Sequence, residues 1–385
     1  MIVVGYLYNT NGMATWCIET AYALHEAGEN VLLVHAPSVK LPANLPFKTL
    51  CFSFNSTNKS GIAKVGFMGK MNSFLKVFSN ASTGFSYKVY EQLTQEGKKV
   101  DSFFLNQSNM IDPRVPIPQY VCSWVYPFSI NYYLKTAFLS LEHGSIKNKI
   151  LTIANAIGFY RKDKASFKAA TKVLALTPAM QQNLLQQNYK AVLLSPCCAV
   201  EQNLEKVGDT MIERKIKVIM CALDLSSKRK NLTWVMEQLN LLKDTELEII
   251  LIGRTGEYME QLIAVSPHTI IQKGILTREE IIDEYNCADI FLFASLSDDW
   301  GYVLTEAMSK GLAVLAPYQH PFNYIVGHQD YLFEPGSKQS FLEKFCRLVK
   351  NKDVLHNAQI HCYQRTKQLF SRENFVLASR DARLI

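Results

Sequence analysis

The chain has 385 residues, 48% of them apolar and 19% charged, which is long for a single core and rich enough to bury two. Its net charge of +7 is uneven: residues 1–200 hold 19 Lys/Arg against 9 Asp/Glu, a balance of +10, and the rest holds 22 against 25, a balance of −3. The longest greasy stretch, ILTIANAIGFY over 150–160, falls short of the roughly 18 residues of a bilayer-spanning helix, and nine cysteines without a CxxC pair read as free, mostly buried thiols rather than a disulfide framework.

The opening MIVVGYLYN lacks the basic n-region of a signal peptide and reads as a first buried strand. A loop, YNTNG, leads to a helix over 14–28, where Ile18, Ala21 and Leu24 share one face and Gly28 is a natural C-cap. A second strand follows in ENVLLVHAP, and further strands are expected at 48–53, 102–106, 120–125, 172–176 and 191–195. Between them lie aromatic-rich, lysine-bearing segments over 64–96 and 128–170. The polar stretch EQNLEKVGDTMIERK, 201–215, has no strand pattern and reads as a linker. The division expected is therefore an N-terminal domain over 1–200, that linker, and a C-terminal domain over 216–353, with a terminal helix over 354–385 packing back on the first.

After the linker come five short, continuously apolar runs: KVIMCA, LEIILIG, TIIQKG, DIFLFAS and LAVLAP. Such runs mark parallel strands covered on both faces. Each is followed by a helical stretch, such as NLTWVMEQLNLL or REEIIDEYNCA, so the pattern is that of βαβ units. The fold class is α/β, two Rossmann-like domains of parallel strands whose working cleft lies at the carboxyl ends of the strands.

Residues 298–311, DDWGYVLTEAMSKG, stand where a buried strand gives way to a helix. Asp298 and Asp299 there are ordinary N-capping residues on the plainest reading. Capping leaves Gly301 unexplained, since a glycine lets a ligand approach converging amides, and such a helix start suits a diphosphate. It also leaves Glu306, set among Leu304, Ala307 and Met308, in need of a hydrogen-bonding partner.

This stretch resembles the EX7E signature of the family-four retaining glycosyltransferases of GT-B fold, with Asp298 at the first glutamate, Trp300 at the aromatic, Gly301 at the glycine and Glu306 at the second glutamate. LIGRTGEY, QKGILTREEIIDEYNCADIFLFAS and APYQHPFNYIVGHQDYLFEPGS are similar to neighbouring segments of that family, as are KVLALTPAMQQNLLQQ and LLSPCCAVE nearer the middle. The resemblance is strong over 217–336 and weak over 55–170. It implies a GT-B architecture with two domains facing each other across a cleft. It further implies transfer of a sugar from a nucleotide donor with retention of configuration and without a metal or other cofactor. By that likeness Glu306 holds the ribose and Asp298 the sugar hydroxyls. The amides of Tyr302 and Val303 approach the phosphate or sugar, Gly253 faces the nucleotide, and main chain near Gly274 and Ile275 meets the base.

The turn SSKRKNLTW places cations at a strand-to-helix junction, where they can hold a departing diphosphate. Lys230 fits the lysine of the resemblance, while its upstream arginine falls on Asp224 or Leu225, and Lys228 or Arg229 stands in. A solvated helix start is the plain alternative. Gly12 is the one glycine kept from a paired-glycine loop, and a simple turn explains it as well. The family's mid-domain histidine has no counterpart in YVCSWVYP, which offers Trp124 and Tyr126, and His143 is merely nearby.

In FYRKDKASFKAATK the residues Arg161, Lys164, Lys168 and Lys172 fall on one stripe of a helix beside Phe159, Tyr160 and Phe167. That stripe suits an anionic membrane surface or a lipid-linked acceptor, with a solvated face as the alternative. No nucleic-acid-binding pattern accompanies the basic first half. The reading is a cytoplasmic glycosyltransferase, peripheral on the inner face of the membrane, that uses a UDP- or GDP-sugar and a glycan or lipid-linked acceptor for cell-envelope polysaccharide or glycoconjugate. The rivals are a catalytically silent GT-B partner of another transferase, and a different GT-B enzyme such as an epimerase or phosphorylase.

Overall fold

A computed structural model describes residues 1–5, 12–37, 39, 41–42, 44–52, 84–139, 146–200 and 215–385. The expected linker, apart from Lys215, lies outside these residues, as do His143, most of the YNTNG loop and residues 64–83. The chain divides into two units: Met1–Cys197 with Phe375–Ile385, and Cys198–Asn374. The helix Lys352–Leu369 therefore belongs to the second unit, and the last eleven residues belong to the first.

The first unit carries a seven-stranded sheet in the order β3-β2-β1-β4-β5-β6-β7. Its strands are β1 Ile2–Gly5, β2 Val31–His35, β3 Lys48–Cys51, β4 Ser102–Leu105, β5 Gln119–Ser123, β6 Lys172–Ala175 and β7 Ala191–Leu193. All neighbours pair parallel. Strands β1 and β4 are wholly buried, as expected of apolar runs covered on both faces. Around Phe128 cluster Tyr133, Tyr160, Phe167 and Tyr189, so much of the aromatic-rich segment is core.

The second unit carries a six-stranded parallel sheet in the order β10-β9-β8-β11-β12-β13. Its strands are β8 Ile216–Asp224, β9 Leu247–Arg254, β10 Thr269–Gly274, β11 Ile290–Leu292, β12 Ala313–Pro317 and β13 Leu332–Phe333. The first five are the five apolar runs of the sequence, and β13 is an additional edge strand of two residues. The connection from β10 to β11 crosses β9 and β8, which brings the helix Arg278–Cys287 beside the helix Tyr302–Ser309.

Two glycines shape the carboxyl edge of this sheet. Gly253 has φ +134°, and a Cβ on it would lie 1.7 Å from the Ala222 carbonyl oxygen, so β9 passes β8 too closely for any other residue. Gly301 has φ +84°, and its Cβ would press on the Phe293 ring at 3.2 Å. Glycine at 253 is thus required by strand packing itself.

Candidate functional site

The site is built in the second unit, from the loops and helices that follow β8, β10 and β11. Beyond β8 the chain turns tightly: the Ser227 carbonyl accepts from the amides of Lys230 and Asn231, and Asn231 adopts a left-handed conformation (φ 56°) before the helix Leu232–Leu239. The Arg229 carbonyl then accepts from the Leu296 amide at 2.8 Å, and from Ser295 Oγ at 3.3 Å. These bonds fasten the loop after β8 to the loop after β11.

The consequence is that Lys230 Nζ donates to Asp298 Oδ2 at 2.5 Å, and lies 5.8 Å from the centre of the Phe293 ring. Arg229 donates to the Ser297 carbonyl at 2.8 Å, with the same guanidinium nitrogen 3.5 Å from Asp298 Oδ2. Lys228 is exposed on the same turn. Asp298 is held at the turn by two cations. The helix that follows takes Gly301 as its N-cap and has no side-chain cap, so neither aspartate acts as the capping residue that the plain reading assigned.

Asp299 keeps an exposed surface while protein surrounds its carboxyl. That crowding, and then the charge of Asp298, push its pKa up to about 6 against the opposing pull of Arg229 and Lys230. Trp300 is fully buried and packs edge-on against Phe370 at 5.3 Å, an anchor for the motif rather than part of its surface.

Glu306 has a partner that the sequence did not reveal. Arg278 Nε donates to Glu306 Oε1 at 3.0 Å, and Nη2 lies 2.8 Å from the same oxygen. Arg278 is the first residue of its helix, behind a capping box in which Thr277 Oγ1 accepts from the Glu280 amide and Glu280 Oε2 accepts from the Thr277 amide. The charge on Glu306 also reaches Cys221, near the end of β8, whose thiol burial pushes up to about 12, and the buried Tyr285, whose hydroxyl burial likewise raises. The T-x-x-E pattern at 277–280 is legible as a helix start, but nothing local points from Arg278 to Glu306.

Gly274 adopts φ +67° with open space around it, and Ile275 beside it is exposed. The structure thus brings Lys230, Arg229 and Asp298 together, and sets Glu306 on the helix that follows. Gly12 opens the helix Gly12–Glu26 of the first unit. Trp124 there donates to the Asn106 carbonyl and meets Trp16 edge-on.

The basic stripe is altered. The helix Ile146–Ala169 ends before Lys172, which starts β6 and donates to the Ala382 carbonyl. Arg161, Lys164 and Lys168 are exposed, with Phe159 exposed beside them. Asp163 turns the other way, accepting from Ser108 Oγ and the Tyr133 hydroxyl.

Against known proteins, residues 216–351 match the family described as "Glycosyl transferases group 1". That match covers most of the second unit. Among curated relatives, the serotype-specific mannosyltransferase WbdA of Escherichia coli is 22% identical over 214 residues, which is 50% of this chain and 26% of that protein. The chain thus spans about a quarter of the length of that relative. Among solved structures, sucrose-phosphate synthase of Thermosynechococcus elongatus superposes with a TM-score of 0.67 at 13% identity, over 100% of this chain and 97% of the other. HepE of Anabaena, in complex with UDP, gives 0.60 at 14% identity over 100% of both. These likenesses establish the GT-B fold of the matched domain and its companion.

Proposed function

We propose that this protein is a retaining glycosyltransferase that moves a sugar from a UDP- or GDP-sugar to a glycan or lipid-linked acceptor in cell-envelope polysaccharide or glycoconjugate synthesis. The observation that carries the reading is the meeting of Lys230, Arg229 and Asp298 at the carboxyl edge of the sheet that matches the group 1 glycosyl transferases. The mannosyltransferase likeness and the UDP bound to HepE support the same chemistry.

In this reading the diphosphate lies at the start of the helix Tyr302–Ser309, where Gly301 lets the amides of Tyr302 and Val303 approach it. Lys230 and Arg229, with Lys228 on the same turn, balance the charge that grows on the leaving diphosphate. Asp298 holds sugar hydroxyls and Glu306 the ribose. Gly253, Gly274 and Ile275 border the nucleoside. The anomeric C–O bond to the diphosphate breaks, and the acceptor oxygen bonds to the same face of the sugar. The acceptor's proton passes to the departing phosphate oxygen. No metal or cofactor is needed, because cations and helix amides carry the charge.

The exposed residues Phe159, Arg161, Lys164 and Lys168 would hold the protein against an anionic membrane from the cytoplasmic side, where a lipid-linked acceptor is presented. Among the described residues no helix is long and apolar enough to cross a membrane. Thermal unfolding with UDP and with GDP tests the nucleotide site. A rise in midpoint with one of them is expected, and no rise with either favours a catalytically silent partner protein.

A further inference from the structure

The contact between Arg278 and Glu306 joins two helices whose starts are independently fixed. Arg278 is the first helical residue behind the Thr277–Glu280 capping box, so its backbone direction is set locally. Glu306 lies one turn into the helix that begins at Gly301. Both guanidinium contacts, at 3.0 and 2.8 Å, converge on Oε1 and hold that oxygen in place. The side chains are 33% and 13% exposed, so solvent screens the pair less than a surface ion pair. A carboxylate that must bind a diol depends on being held still before the ligand arrives.

We propose that Arg278 is a positioning residue of the nucleotide site, acting through Glu306. This inference rests on the ribose role given to Glu306 above. Its reach extends to ligand chemistry: a guanidinium beside the ribose carboxylate also cancels a negative charge that would otherwise repel a nucleoside diphosphate. Arg278 thus favours anionic nucleotides over neutral nucleosides, whereas Glu306 alone would disfavour them.

A double-mutant cycle tests this by titrating UDP and GDP calorimetrically into wild type, Arg278→Gln, Glu306→Gln and the double variant. The native fold of each is checked by thermal unfolding. Arg278→Gln is expected to weaken the preferred nucleotide roughly tenfold and uridine or guanosine measurably but by less, since both carry the ribose that Glu306 holds while only the nucleotide carries the diphosphate charge. In the Glu306→Gln background the same change is expected to add at most about twofold, because its target is gone. Arg278→Lys, which keeps the charge but not the paired geometry, should recover part of the loss. An Arg278→Gln protein that binds UDP and GDP as wild type does, while Glu306→Gln is weakened, overturns the positioning role alone. Fully multiplicative losses in the double variant also overturn it, since Arg278 then acts independently of Glu306. If Glu306→Gln binds both nucleotides undiminished, the ribose assignment itself falls and this inference falls with it.

Discussion

Lys230 and Asp298, 68 residues apart in sequence, form an ion pair of 2.5 Å in which each side chain is 21% exposed. The pair exists because the Arg229 carbonyl is bonded to the Leu296 amide, which locks the turn after β8 to the loop after β11. If Lys230 serves the leaving diphosphate, its charge matters most in the transition state. Lys230→Ala is expected to lower kcat on the preferred donor by about 10²-fold and to change KM much less. Steady-state kinetics checks this. Normal turnover with a lowered unfolding midpoint would make Lys230 a structural residue.

Asp299 gives the site a pH dependence with a definite sign. Its pKa is about 6 in the folded protein, above the roughly 3.9 of an unperturbed aspartate. Between those values the unfolded chain has already released the proton that the folded state retains. Stability from this group is therefore lost as pH rises from about 4 to about 6, and the penalty is complete above that. Asp299→Asn is expected to unfold at a higher temperature than wild type at pH 7.5, with the gap closing toward pH 4. A variant less stable than wild type at pH 7.5 would contradict this electrostatic account.

Gly253→Ala should be costly for a reason unrelated to nucleotide. The added Cβ meets the Ala222 carbonyl at 1.7 Å on a backbone with φ +134°. Denaturant unfolding is expected to show a loss of about 3 kcal/mol. A neutral substitution would mean that β9 moves away from β8 without strain, and would leave ligand approach as the reason for the glycine.

The basic helix face makes a separable prediction. Lys164→Glu with Lys168→Glu reverses two exposed charges, each worth about 1 kcal/mol against an anionic leaflet. Co-sedimentation with phosphatidylglycerol-containing vesicles should fall sharply while UDP or GDP binding is unchanged. Equal pelleting of variant and wild type would remove this face from membrane contact.

The sequence made most of the second sheet legible because its strands are buried on both faces and so read as unbroken apolar runs, as in LEIILIG and LAVLAP. Strand β13 was not legible, since two residues, Leu332 and Phe333, carry no periodicity. Lys172 read as the last member of a helical stripe because helical spacing fits it equally well; the chain leaves the helix at Ala169 to enter β6. In the candidate site, Glu306 stood out against the apolar Leu304, Ala307 and Met308, Gly301 as a glycine at a helix start, and Lys230 and Asp298 by their place at strand-to-helix junctions and the resemblance there. Arg278 did not, because it sits among Glu279, Glu280 and Asp283, where a surface cation is unremarkable. Only the crossover from β10 to β11 brings it to Glu306, and that is a property of topology rather than of local pattern.

The activity proposed for this site is turnover of a nucleotide sugar. Purified protein, incubated with a panel of UDP- and GDP-sugars without acceptor and monitored for released nucleotide, tests it most directly. Slow release is expected from one donor or a few sharing a base, suppressed in Lys230→Ala. Release no faster than in buffer for every donor in the panel would contradict it.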